Sequence, residues 1–291
     1  MSEFLQIMIT GITTGAIYSI SALGFSIVYN ATKVTNFANG EFMMMGGLIS
    51  ASLILSGGVP MLLAIPLACI AVAVLGTMID LVGIRWARRK SVLSYAMITI
   101  GFGITFRGAM QVLVGREILF PPTFGGIPNL FIGDIYLSSQ SGWILIALVI
   151  IAASLGFLFM RTKLGKAMRA ASQQPRAAAL CGINPRVMAV MAFGMAGLLG
   201  AVAGAMIAPI GAAFYEFGLF YGLKGFAAAV LGGFGSSIGA VVGGLLIGII
   251  ESLTAGYISS NIKDAAALAI LVVILLVRPS GLFGAMEARR V

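Results

Sequence analysis

Six long apolar runs stand out along the chain, at about 4–29, 61–83, 91–115, 141–160, 187–210 and 262–277. Each is close to the roughly 20 residues that a helix needs to cross a bilayer. Two further apolar segments, 41–56 and 223–256, are interrupted by glycine. The second contains LGGFGSSIG at 231–239, where the scarcity of bulky side chains favours a break. The pattern predicts a short broken helix over 223–234 and a full span over 236–256. Such a break is tolerated at membrane depth where protein covers it or a cavity lies beside it. The predicted fold class is all-α: a polytopic membrane protein with about eight long transmembrane helices plus one short broken or re-entrant helix. Residues 1–291 are expected to form a single transmembrane domain.

Glycine spacing adds detail to this picture. Gly232, Gly233 and Gly235 mark the break, while Gly235, Gly239 and Gly243 recur every four residues. Gly244 with Gly248, Gly11 with Gly15 and Gly200 with Gly204 repeat the spacing. Four residues apart on a helix is one face, and a face of bare backbone lets another helix come close. Two readings remain open: simple packing in a bundle, or a flexible seam along which two parts of a transporter rock.

Composition excludes a soluble protein. The chain is 60% hydrophobic and 9% charged, against about 25% charged in a soluble domain. A net charge of +9 raises the possibility of nucleic acid, but the positions of the charges argue for topology instead. Lys33, Arg85, Arg88, Arg89, Lys90, Arg161, Lys163, Lys166, Arg169, Arg176, Arg186, Arg278, Arg289 and Arg290 all fall on one side if the N-terminus is outside and the C-terminus inside. By the positive-inside rule that side is the cytoplasm. The opposite loops hold Arg116, Glu117, Asp134, Glu216, Lys263 and Asp264, which nearly cancel. Opposite termini require an odd number of crossings, and the short 223–234 element supplies it. No nucleic-acid partner is expected; the bilayer is.

Several chemistries are absent. There is no histidine, so His-based catalysis and most transition-metal sites are excluded. Cys69 and Cys181 show no metal-ligand spacing, and no disulfide is expected between them. The opening MSEFLQIMIT lacks a basic start, so the first run is expected to remain as a span. No GxxxxGK[ST] motif occurs; if nucleotide drives the protein, the ATPase is another subunit. No nucleophile and base are paired, so an enzyme is not expected, and neither is a cofactor or metal in this chain. Asp80 and Arg107 are read as lying near span ends, where they snorkel or pair. Glu251 and Lys224 are read as falling toward the outer side. The lack of a midplane carboxylate weighs against an ion-coupled secondary carrier.

The segment RTKLGKAMRAASQQPRAAALCGINPR at 161–186 carries clear local signals. Pro175 suits the first turn of a helix, because its missing N–H would be unbonded there anyway. Gln174 before it is biased toward extended backbone. Gly182 is placed to end the helix in a left-handed turn. Asn184 can cap the next span, with Pro185 in its first position. The result is a short helix with a small-residue face, joined directly to a membrane helix. It is either an ordinary capped loop or a docking helix that transmits a partner's motion.

The segment VTNFANGEFMMMGG at 34–47 puts polar residues between apolar runs. If it is helical, Asn36, Asn39 and Gly40 share a face. Gly40 would then allow a break, and amide side chains can satisfy the backbone groups it frees. Glu41 favours a helix N-terminus through the dipole. Either this is a capped, broken start to the second span, or its kink lines or gates a path.

Three blocks carry a family resemblance: GFSIVY at 24–29 followed by VTNFANGEF at 34–42, RAASQQPRAAALCGIN at 169–184, and LGGFGSSIGAVVGG at 231–244. In order and together, they resemble the inner-membrane permeases of branched-chain amino-acid ABC importers, the LivH type, over essentially the whole chain. Asn39 stands where the family often has histidine. The resemblance implies an all-helical permease with two related halves in the bacterial inner membrane. It implies a homologous LivM-like permease, two cytoplasmic ATPase subunits holding ATP and Mg, and a periplasmic substrate-binding protein as partners. Arg169, Pro175, Arg176, Ala178, Gly182 and Ile183 would belong to the ATPase-coupling loop. Asn36, Asn39, Gly40 and Glu41 would lie by the translocation path or gate. The implied cargo is leucine, isoleucine or valine. Relatives of the family carry urea, short amides or other amino acids, and these stay open as alternatives.

Overall fold

The computed structural model describes residues 2–87, 91–126, 130–132 and 135–284. Arg88, Arg89, Lys90, Asp134, Arg289 and Arg290 lie outside the described residues. Among the described residues eleven α-helices follow in order: α1 Ser2–Thr32, α2 Asn39–Leu55, α3 Met61–Met78, α4 Val92–Leu113, α5 Ser139–Arg161, α6 Lys163–Gln173, α7 Pro175–Leu180, α8 Pro185–Gly211, α9 Phe217–Gly232, α10 Ser237–Tyr257 and α11 Lys263–Val277. A small antiparallel hairpin, β1 Leu130–Ile132 with β2 Ile135–Leu137, is added to the helical frame between α4 and α5.

Among the described residues, six helices are long and apolar enough to cross a membrane: α1, α3 with its continuation to Trp86, α4, α5, α8 and α10. This corrects the expected eight. Helices α2 and α9 have 17 and 16 residues, and α11 has 15. The shortening has a backbone cause. After α1 the chain turns at Lys33 with φ 58°, and after α8 it turns at Ala212 with φ 61°. In each case non-helical backbone returns a few residues into the bundle before the next helix starts. Helix α9 also begins earlier than the glycine pattern indicates, at Phe217 rather than 223.

The break itself falls where glycine predicts it. Gly233 and Gly235 take φ of 94° and 86°, left-handed values that glycine adopts without a Cβ penalty. Asn30 Nδ2 donates to the Gly235 carbonyl at 2.7 Å, and Ser236 caps α10 by accepting from Gly239 N–H at 3.0 Å. Gly235 thus lies in the turn, not on the helical row with Gly239 and Gly243.

The contacts are crossed between the two parts of the chain. Helix α1 packs on α9 and α10, whereas α8 packs on α2 and α3. Glycine makes these approaches possible. Gly239 and Gly243 face α9, while Gly244 and Gly248 face α1. A methyl added at Gly15 would lie 2.8 Å from the Leu245 Cα, and one at Gly204 would lie 2.9 Å from the Gly47 nitrogen. Ser19 Oγ donates across the α1–α10 seam to the Val241 carbonyl at 2.8 Å.

Helix directions define two ends of the bundle. Lys33, Arg85, Arg161, Lys163, Lys166, Arg169, Arg176, Arg186 and Arg278 lie at the same end as α6 and α7. Arg116, Glu117, Lys263 and Asp264 belong to the other. Large apolar side chains such as Leu62, Val112 and Leu276 point outward at 85%, 85% and 81% exposure, which suits hydrocarbon as the surrounding medium. Cys69 and Cys181 are both free.

Overpacking a close helix contact costs about 1–3 kcal/mol. Gly204→Ala is therefore expected to lower the melting temperature of the detergent-purified protein by several degrees. Gly108→Ala, where nothing lies within 4 Å, should melt with the wild type in the same assay.

Candidate functional site

The polar joint at 33–41 is an interior helix start. Gly103 lies at the middle of α4, and a methyl there would meet Ala38 Cα at 3.8 Å and Glu41 Cγ at 3.3 Å. The first turn of α2 is thus level with the centre of a full-length span. A helix start leaves N–H groups without intrahelical partners, and in hydrocarbon no water replaces them. Asn36 Oδ1 accepts from Ala38 N–H at 3.1 Å, Thr99 Oγ1 of α4 accepts from Phe37 N–H at 3.2 Å, and the Asn36 carbonyl accepts from Asn39 N–H at 3.3 Å. Asn36 does satisfy freed backbone, but it lies outside the helix and so shares no helical face with Asn39 and Gly40.

Gly40 is not the break. It sits inside α2 and lets α9 cross against it. A methyl at Gly40 would lie 2.8 Å from Gly222 Cα, one at Gly222 2.6 Å from Gly40 Cα, and one at Gly218 2.6 Å from the Gly40 carbonyl oxygen. The two short helices therefore touch backbone to backbone near their N-terminal ends. Asn39 ties α2 to α1, with Nδ2 donating to the Ser21 carbonyl at 3.1 Å and to Ser21 Oγ at 3.3 Å. Gly24 makes room for it: a methyl there would lie 2.7 Å from Asn39 Oδ1.

Glu41 is buried, at 5% exposure. Its partner is Arg107 of α4, which forms an ion pair with Oε1. Arg107 is thus held by a specific carboxylate rather than snorkelling from a span end. Sequence reasoning missed this pair; the available signal was one lone charge of each sign within apolar runs. Among the described residues, Asn36 Nδ2, Asn39 Oδ1, Glu41 Oε2 and Arg107 Nε have no hydrogen-bond partner. Four unspent polar atoms thus gather around one interior helix start.

A second polar group lies toward the end that carries the α1 N-terminus. Lys224 of α9 bonds Glu251 of α10 at 2.7 Å and Asp264 of α11 at 2.8 Å. Tyr18 of α1 donates to Glu251 Oε2 at 2.8 Å, and Lys263 Nζ lies 3.7 Å from Oε1. Glu251 is 5% exposed. These groups sit in a cavity of about 400 Å³ whose wall includes Phe214, Phe217, Phe220 and Tyr221.

At the opposite end the basic segment folds as its local chemistry dictates. Pro175 opens α7; Gly182 takes φ 81°; Asn184 Oδ1 accepts from Arg186 N–H at 3.0 Å. Ala178 is buried, whereas Leu180 is 91% exposed. Ile183 N–H bonds the Ala178 carbonyl at 3.0 Å and so closes the turn into α8. The amphipathic helix α6 was not anticipated, although Leu164, Met168 and Ala171 recur at helical spacing. Thr162 caps it by accepting from Gly165 N–H at 3.2 Å. Arg169 is committed within the fold: it donates to the Phe159 carbonyl at the end of α5. Arg176 is exposed.

An interior crossing of two short helices, closed by glycine and edged with polar groups, is the irregular backbone that a membrane bundle tolerates where protein covers it. The chain belongs to the family described as branched-chain amino acid transport system / permease component, whose model matches residues 7–277. It is similar to the high-affinity branched-chain amino acid transport system permease protein LivH of Escherichia coli K12, at 32% identity over 99% of this chain and 98% of that protein. The LivH protein of Salmonella typhimurium is 31% identical over the same shares. BraD of Pseudomonas aeruginosa is 32% identical over 99% and 98%. The chain is thus a multi-pass membrane permease subunit and not a catalytic one.

Removing one member of a buried ion pair costs about 3–5 kcal/mol, because the remaining charge is left uncompensated. Arg107→Met is expected to destabilise the purified protein strongly, and Glu41→Leu combined with Arg107→Met to recover most of the loss. Thermal melts of the single and double variants check this.

Proposed function

We propose that this chain forms one half of the membrane path of an ABC importer for branched-chain amino acids. It pairs with a homologous LivM-like permease, two cytoplasmic ATPase subunits and a periplasmic binding protein. The N-terminus lies outside and the C-terminus in the cytoplasm, so the basic end with α6 and α7 faces the ATPases. The observation that carries the reading is mechanical. Helix α7 joins α8 through one tight turn, and α8 packs along α2 with almost no side chain between them at Gly200 and Gly204. A push on α7 therefore reaches the interior helix start at Asn39, Gly40 and Glu41 through backbone.

In this reading α7 is the docking helix, with Pro175, Arg176, Ala178, Gly182 and Ile183 setting its shape and surface. Arg169 acts indirectly, by locking α6 to α5 beneath it. Asn36, Asn39, Gly40 and Glu41 form the gate. The two halves are related as inverted repeats, α1–α4 and α8–α11, with α5 as the odd helix that reverses the second. The turns at Lys33 and Ala212, the short helices after them and the crossed packing support this relation. A weak path suits a permease that receives cargo from a separate high-affinity binder, since cargo must leave as readily as it enters.

The complete importer reconstituted in liposomes is expected to accumulate leucine only with ATP, the ATPases and the loaded binding protein. Arg176→Glu should leave membrane insertion unchanged while reducing ATPase co-purification and uptake together. Asn36→Leu should reduce uptake more than insertion. Leucine accumulation by the chain alone contradicts the reading.

A further inference from the structure

We propose that the cavity between α1, α9, α10 and α11 is a transient site for an amino-acid zwitterion with an apolar side chain. This rests on the reading of the chain as an amino-acid permease. The cavity volume of about 400 Å³ lies in the range of small-molecule sites. Its wall is aromatic, with Phe214, Phe217 and Phe220, and its polar floor holds Lys224 and Glu251. Asp264 and Lys263 border it.

The charges are two of each sign, so the cavity has no net charge to hold an anion or a cation. A zwitterion is the small ligand that matches such a floor. The side chains satisfy one another: Lys224 holds Glu251 and Asp264 at 2.7 and 2.8 Å. A bound α-carboxylate takes the place of Asp264 on Lys224, and the α-ammonium pairs with the released Asp264 carboxylate. The deeper Glu251 stays compensated throughout by the Tyr18 hydroxyl at 2.8 Å and by Lys263. That matters, because a buried carboxylate left unpaired costs several kcal/mol. Ion pairs are exchanged rather than gained, so binding is weak and reversible. The apolar side chain lies against the phenylalanines. Asp264 is the accessible member of the set, at 56% side-chain exposure against 7% for Glu251.

The test uses the assembled importer in lipid nanodiscs with photo-leucine, a diazirine analogue of leucine, irradiated without ATP and mapped by mass spectrometry. The expected label falls on residues 214–224 of this chain. Excess leucine removes it; 4-methylpentanoate, which lacks the ammonium, and isoamylamine, which lacks the carboxylate, do not. Loss of a charge-assisted hydrogen bond should lower labelling of Lys224→Gln by about tenfold or more, while Lys224→Arg, assembled to the same yield, retains it. A labelled binding protein beside an unlabelled 214–224 segment overturns the site alone. Equal competition by the single-charge analogues also overturns it. An unlabelled binding protein overturns the amino-acid reading and the site together.

Discussion

A helix that starts inside a hydrocarbon layer must find partners for its first N–H groups within the protein. Helix α2 meets that demand with its own return segment. Asn36 supplies its side-chain and backbone oxygens, and Thr99 reaches over from α4. The start is then sealed by α9, which crosses at Gly40, Gly218 and Gly222 with no Cβ between the backbones. The polar side chains beside the crossing are arranged around it. Asn39 needs the gap at Gly24, Glu41 needs Arg107, and α1 and α8 must each reach across to the other part of the chain to enclose the crossing.

Close backbone packing has a mechanical consequence. Flexible side chains between helices absorb displacement, whereas backbone in contact with backbone transmits it. The glycine seams of α8 with α2 and of α10 with α1 are therefore stiff along their length. The helices beside these seams are interrupted at 33–38, 212–216 and 233–236. Each of these holds one or two residues with positive φ. Packing and rocking were opposed readings of the glycine rows in the sequence. In the fold the rows pack against the backbone of neighbouring helices.

What was legible in the sequence was local. Hydropathy located the apolar helices, and Pro175, Gly182 and Asn184 fixed the ends around α7 because capping involves neighbours only. The turn at Gly233 and Gly235 was readable for the same reason. What was not legible was long-range. Glu41 and Arg107 are 66 residues apart, and nothing at either position names the other. The first residue of α2 depended on how deep the return segment enters the bundle, which periodicity does not encode. Helix α2 read as a full span because a half-helix backed by protein has the same apolar composition as one facing lipid. Gly24 and Gly218 look like any membrane glycine until the side chain or backbone that fills their space is known.

The account stands on the contact between the two interior helix starts. Its most direct test is a double-mutant cycle in thermal stability on Gly40→Ala and Gly218→Ala in the purified protein. Both methyl groups would enter the same gap, since one at Gly218 would lie 2.6 Å from the Gly40 carbonyl oxygen. The account predicts that each change alone lowers the melting temperature, and that the two together cost less than their sum, with a coupling of about 0.5–3 kcal/mol. If both single variants melt with the wild type, the helices do not meet there and the account is contradicted.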